Sequence, residues 1–289
     1  MILDWLLLPF VEFDFMRRAF AGCCIMALGG APVGVFMTLR RMSLTGDAMA
    51  HAILPGAAIG YLVAGLSLGA MTVGGIVAGL CVALLSGLVT RSSHLQEDTN
   101  LAAFYLMSLA LGVLLISTRG GSVDLDHVLF GSILALDDAT LLLLASIATV
   151  SVFTLFSCYR PLVMECCDPG FLRVESRLGP VVHLVFLALV VLNLVAGFHA
   201  LGTLMAVGML ILPAAAARFW VRELGPTLAL AVLVSFIGSS TGLLISYYID
   251  APTSATIILC LGALYLLSFF AGSADGHWLR WWPREHLQA

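Results

Sequence analysis

Apolar segments of roughly 17 to 25 residues, one after another from Phe15 to Ala271, constrain this chain more than any other feature. A helix needs about 20 predominantly apolar residues to cross the hydrocarbon core of a bilayer, and in lipid its backbone must satisfy its own hydrogen bonds. With 61% hydrophobic residues, 10% charged residues and a mean hydropathy of +1.07, the chain cannot be a soluble domain. It reads as an all-α, polytopic membrane helix bundle.

Nine spans are predicted, at residues 15–39, 47–64, 69–89, 101–117, 139–157, 178–195, 201–219, 227–248 and 253–271. Several fall slightly short of a full crossing, which short helices inside a bundle tolerate. Residues 1–14 are apolar but too short to span, and Asp4 stands where a signal peptide would carry basic residues. They read as an interfacial tail before a transmembrane domain at 15–272, with 273–289 as a cytoplasmic C-terminal tail. All thirteen basic residues are arginine. Placing the Arg40–Arg41 loop in the cytoplasm puts ten arginines inside and leaves only Arg17, Arg18 and Arg119 outside. The N-terminus is then outside and the C-terminus inside; eight spans would break this alternation.

Small residues recur four apart in Gly30/Gly34, Gly56/Gly60, Gly75/Gly79 and Gly238/Gly242, which predicts close helix packing. Pro32 and Pro213 each lack the N–H that the carbonyl one turn earlier needs, at Leu28 and Met209.

Within this apolar chain, residues 38–56 (TLRRMSLTGDAMAHAILPG) carry Asp47 and His51. Four residues apart on a helix, a carboxylate and an imidazole share one face. An acid at membrane depth is costly, so such a pair points to a polar site, and Asp with His is a fair ligand set for a divalent transition metal. Pro55 leaves the His51 carbonyl without its helical donor. The plainer reading stands beside this: Asp47 caps the second span, or forms a local ion pair with His51, and two ligands are too few for a closed metal site.

LRRMSLTGDAMAHAILPG resembles the signature stretch of the membrane permeases of metal-type ABC importers, which move zinc, manganese or iron. LDHVLFGSILAL (125–136), ALGTLMAVGMLILPAAAAR (200–218) and GLLISYYIDAPTSATIIL (242–259) are similar to the same family, in the same order. The resemblance implies that Asp47 and His51 lie in the translocation path and coordinate the ion. It implies a homodimer, a separate ATP-binding subunit and an extracytoplasmic metal-binding protein. It also implies that the inner loop at 164–180 (MECCDPGFLRVESRLGP) is the coupling segment that docks into the ATPase. Asp168 before Pro169 signals a helix start, and Phe171, Leu172, Val174 and Leu178 would form its apolar face. Gly170-Phe171-Leu172 departs from the alanine-rich start usual there.

On the outer side, 120–138 holds a short apolar run between acids, too short to span and read as a re-entrant or surface helix. Asp124, Asp126, His127, Asp137 and Asp138 would draw cations towards a pore mouth, or merely keep the loop solvated. His199 and Asp250 are weaker members of that outer surface. His183, near the inner end of the sixth span, is the candidate third ligand, with Asn193 further along the same helix. Ser235, Ser239, Ser240 and Thr241 line a path or bond back to their own helix. Seven cysteines show no CxxC spacing and read mostly as small buried hydrophobes, with Cys166 and Cys167 in a loop.

A P-loop requires a lysine, and this chain has none, so ATP hydrolysis is expected on another chain. No HExxH pair occurs, which argues against an intramembrane metalloprotease. A secondary transporter or channel would also place Asp and His in the membrane, though it has no use for a coupling helix. No permanently bound cofactor is implied. The imidazole ligand and the lack of a carboxylate-rich site favour zinc as cargo, with manganese or iron as the alternative.

Overall fold

The computed structural model describes residues 8–65, 67–92, 97–118, 133–167 and 179–274. Among these the secondary structure is helical throughout: α1 (Asp14–Leu39), α2 (Ser43–Ala64), α3 (Leu68–Ser92), α4 (Glu97–Thr118), α5 (Asp138–Ser157), α6 (Tyr159–Cys167), α7 (Gly179–Leu201), α8 (Thr203–Arg218), α9 (Leu224–Ile249) and α10 (Thr253–Ala271). A single 3-10 turn, Ile133–Ala135, precedes α5. Seven helices, α1, α2, α3, α5, α7, α9 and α10, are long and apolar enough to cross a membrane, while α4 and α8 carry shorter apolar stretches, Thr99–Leu115 and Thr203–Arg218. Each predicted span falls on one of these helices.

The bundle is built around α1 and α7, whose membrane windows are 67% and 61% buried, against 28–33% for α3, α5, α9 and α10. Phe36, Met26 and Met37 of α1 meet Phe186, Val190 and Val195 of α7 in one apolar core. Lipid tails are as apolar as these side chains, so close backbone approach, not water exclusion, must hold such helices together. The glycine pairs supply that approach. Gly34 lies directly against the Leu210 carbonyl of α8, and Gly56 of α2 lies against Gly74 of α3. Gly238 and Gly242 of α9 receive Leu261 and Ile257 of α10.

Polar side chains at membrane depth are mostly bonded within the bundle. Asn193 of α7 donates its amide to Ser151 Oγ of α5 (2.7 Å) and to the Leu189 carbonyl (2.8 Å). Of the α9 hydroxyls, Ser239, Ser240 and Thr241 donate to the carbonyls of Ser235, Phe236 and Ile237, the second of the two readings offered by the sequence.

Four local expectations are corrected. The second helix starts at Ser43, with Met42 at its N-cap, so Asp47 sits inside the helix and does not cap it. The run YRPLVMECC folds as α6, because apolar Leu162 and Val163 find cover against the core; Cys166 and Cys167 therefore lie on a helix, not in a loop. Cys23 alone is buried among the described cysteines, and Cys81 is exposed. His199, offered to the outer surface, is only partly exposed: its ring nitrogen Nδ1 bonds the Val195 carbonyl at 2.8 Å and its Nε2 is buried.

The α1–α2 junction turns within three residues. Arg41 adopts a left-handed conformation (φ 58°), while the N–H groups of Arg41 and Met42 donate to Thr38 and Met37. That is the double bond pattern of a Schellman cap, with arginine in the place glycine usually takes. It delivers the chain stiffly from one buried helix into the next.

Candidate functional site

Asp47 and His51 stand one turn apart on α2, and His51 Nε2 lies 3.9 Å from Asp47 Oδ1. That is too long for a hydrogen bond. Imidazole and carboxylate ligands hold a divalent transition metal at about 2.0–2.2 Å, so one ion can sit between atoms up to about 4 Å apart. The Asp47 side chain is 66% exposed and that of His51 30%, so the pair faces out of the single chain rather than into its core.

α4 fixes the pair from one side. The ring of Tyr105 stacks on His51 with centroids 6.2 Å apart and planes 28° from parallel. Below it, Ser108 donates to the Ala52 carbonyl (3.1 Å), and Gly112 lets α4 close against Pro55. Beside the pair lies a cleft of about 190 Å³ lined by Leu44, Thr45, Asp47, Ala48, Leu101 and Tyr105, among others. His51 Nδ1 is buried with no hydrogen-bond partner among the described residues, and so is Thr45 Oγ1. A buried, unpaired imidazole nitrogen is costly to leave dry, which is a signature of a site that engages something further.

His183 is half-buried in the first turns of α7 and does not join the pair: among the described residues no three of His, Cys, Asp and Glu gather as a metal site. Asp124, Asp126 and His127 lie outside the described residues, as do Asp168, Phe171, Leu172 and Leu178 of the inner loop. Asp137 and Asp138, grouped with the outer acids on sequence, have local work. Asp137 caps α5 by accepting from the Thr140 N–H (3.0 Å), and Asp138 pairs with Arg18 (3.1 Å). The Thr140 hydroxyl and N–H hold the Asp137 carboxyl below its ordinary value.

Two groups that sequence reading missed are Arg40 and Glu165. Arg40 counted only as a topogenic charge, and Glu165 as a loop residue. Arg40 Nη2 meets Glu165 Oε1 at 3.0 Å with both side chains nearly buried, at 9% and 5% exposure. The guanidinium also lies 5.0 Å over the Phe186 ring. A lone acid on the apolar face of YRPLVMECC was the available signal.

The ABC 3 transport family matches the chain over residues 12–272. The "Manganese transport system membrane protein MntC" of Halalkalibacterium halodurans is 30% identical over 273 residues, 94% of this chain and 92% of that protein. A Haemophilus influenzae protein named "Probable iron transport system membrane protein" is 29% identical over 265 residues, 92% of this chain and 96% of its own length. Among solved structures, PsaBC from Streptococcus pneumoniae in complex with Fab superposes with a TM-score of 0.83 at 29% identity, covering 95% of this chain and 98% of that one.

Proposed function

The chain belongs to the ABC 3 transport family, and on that premise we propose that it is the membrane permease of an ATP-driven importer for manganese or iron. It is a multi-pass protein of the cell membrane and a transport subunit. Zinc, favoured on sequence alone, gives way to manganese or iron because the relatives carry those names. An imidazole paired with a carboxylate suits Mn(II) and Fe(II) as well as Zn(II).

The observation that carries the reading is the Asp47–His51 pair, 3.9 Å apart on the exposed face of a membrane helix. One such pair holds an ion weakly, as conduction requires. A second copy of the chain, related by a two-fold axis beside α2, supplies another Asp and His and completes a transient four-ligand site. The homodimer is thus part of the mechanism and not only of the assembly. Nine crossings put the N-terminus outside, with residues 1–14 at the interface and 273–289 in the cytoplasm. Asp124, Asp126 and His127 gather cations outside, where a separate binding protein delivers the metal. ATP is hydrolysed on another chain that docks on residues 164–180 through Phe171, Leu172 and Leu178, with Asp168 starting the segment.

The test is uptake of Mn²⁺, Fe²⁺ and Zn²⁺ by membranes carrying the complete transporter. Asp47→Asn and His51→Ala should each abolish uptake of the cargo metal while leaving membrane expression and ATPase association intact. Wild-type rates in both variants would remove the pair from the path, and uptake of Zn²⁺ alone would restore zinc as cargo. Leu172→Asp should release the ATPase subunit in a pull-down; retained association would place the docking surface elsewhere.

A further inference from the structure

Arg40 and Glu165 are 125 residues apart in sequence, and each stands three residues from a functional boundary. Arg40 precedes Ser43, where α2 begins, and α2 carries Asp47 and His51. Glu165 precedes the segment that starts at Asp168, and it lies on α6, the helix leading into that segment. We propose that the Arg40–Glu165 ion pair is a positioning strut that carries motion of α6 into the start of the metal-bearing helix. The inference rests on the permease reading above and adds to it the residues that connect ATPase docking to the site.

Three observations support it. The pair is a direct polar tie between α6 and the α1–α2 junction, at 3.0 Å and almost entirely out of solvent. Salt screens such a contact far less than an exposed pair and little water reaches it, so it transmits position. The junction on the Arg40 side is stiff: Arg40, Arg41 and Met42 donate in turn to Phe36, Thr38 and Met37, so a shift of Arg40 passes into α2 rather than into slack chain. Finally, among the described residues the contact is half made. Arg40 Nη1 and Glu165 Oε2 are both buried without a hydrogen-bond partner among the described residues. A pair serving packing alone would be expected to close its fork and satisfy both atoms. An end-on contact whose second nitrogen and second oxygen have no partner among the described residues has a further, two-bonded arrangement within a small rotation. Two discrete arrangements are what a transmitting element needs.

The experiment uses the complete transporter, permease with its ATPase subunit, in proteoliposomes, and reads Mn²⁺ taken up per ATP hydrolysed in the same vesicles. The double variant Arg40→Met/Glu165→Leu replaces the pair by apolar groups of similar length, an exchange that buried pairs often tolerate without loss of stability. It should assemble and hydrolyse ATP, and bind Mn²⁺ at equilibrium as the wild type does, yet its uptake per ATP should fall about 2- to 30-fold. The reversed pair Arg40→Glu/Glu165→Arg should recover part of the ratio. An unchanged ratio in the double variant overturns the strut. If that variant fails to assemble, Glu165→Asp is read instead: its shortened reach should lower the ratio without altering Mn²⁺ binding, and an unchanged ratio overturns the proposal equally. Lost Mn²⁺ binding in either variant would make the pair a packing element and also overturns it. Absence of Mn²⁺ or Fe²⁺ uptake by the wild-type complex would instead sink the permease reading, so the two failures are distinguishable.

Discussion

Gly34 of α1 sits directly on the carbonyl oxygen of Leu210 in α8, with no room for a Cβ between them. Backbone meets backbone here, so no flexible side chain is available to give way. Gly34→Ala should therefore force α1 and α8 apart and cost at least the 1–3 kcal/mol or so typical of overpacking. Gly87 of α3 has nothing within 4 Å of its Cβ position, and Gly87→Ala should be neutral or stabilising by about 0.5–1 kcal/mol. Thermal unfolding of the two variants in detergent checks the contrast, and equal melting points would show that the α1–α8 contact is not tight.

Tyr105 holds one face of the His51 ring, at 6.2 Å between centroids. An aromatic stack of this kind is worth about 0.5–1.5 kcal/mol, so Tyr105→Ala should lower the apparent affinity for the transported metal about 2- to 10-fold. Tyr105→Phe keeps the ring and should behave as the wild type. The metal dependence of uptake measures both; a large loss with phenylalanine would point to the hydroxyl instead.

Asn193 and Ser151 join α7 to α5 at 2.7 Å in a buried setting. Interhelical hydrogen bonds in membranes average about 0.6 kcal/mol and reach about 1.7. Ser151→Ala should lie in that range, because the Asn193 amide keeps its bond to Leu189. Asn193→Leu, which removes both bonds from a packed site, should cost more. Unfolding by a denaturing detergent gives the order, and the reverse order would refute it.

Asp137 caps α5 as a carboxylate, and its folded value lies below the ordinary 3.8 because of its bonds to Thr140. A depressed acid contributes stability that is present above its unfolded value and lost as pH falls through the folded one. The cap should thus be insensitive to pH from neutrality down to about 4 and weaken only below that. Asp137→Asn should retain most of the cap and lose this acid dependence, whereas Asp137→Ala should cost about 0.5–2 kcal/mol at neutral pH. Melting curves between pH 7 and pH 3 decide; a transition near neutrality would assign the titration to another group.

Much of this protein is legible in its residues taken one segment at a time. The cost of burying unpaired backbone in lipid makes each long apolar run a helix, whatever its neighbours, and each predicted span has its helix. The Asp47–His51 register follows from 3.6 residues per turn, and the glycine pairs marked packing faces because only small residues let backbones touch. What a run packs against is a different matter. Periodicity says nothing about which helix supplies Tyr105 to His51, and no spacing rule links Arg40 to Glu165 across 125 residues. The helix at Tyr159–Cys167 was missed for the same reason: nine residues are marginal as an isolated helix and persist through contact with the core. His183 is the converse case, a polar group of the right chemistry that joins no group of three such side chains among the described residues. Local sequence determines which elements form and where small residues let them pack closely. Close packing between helices alone decides which distant charges meet, because inside a membrane partner choice depends on shape rather than on hydrophobicity.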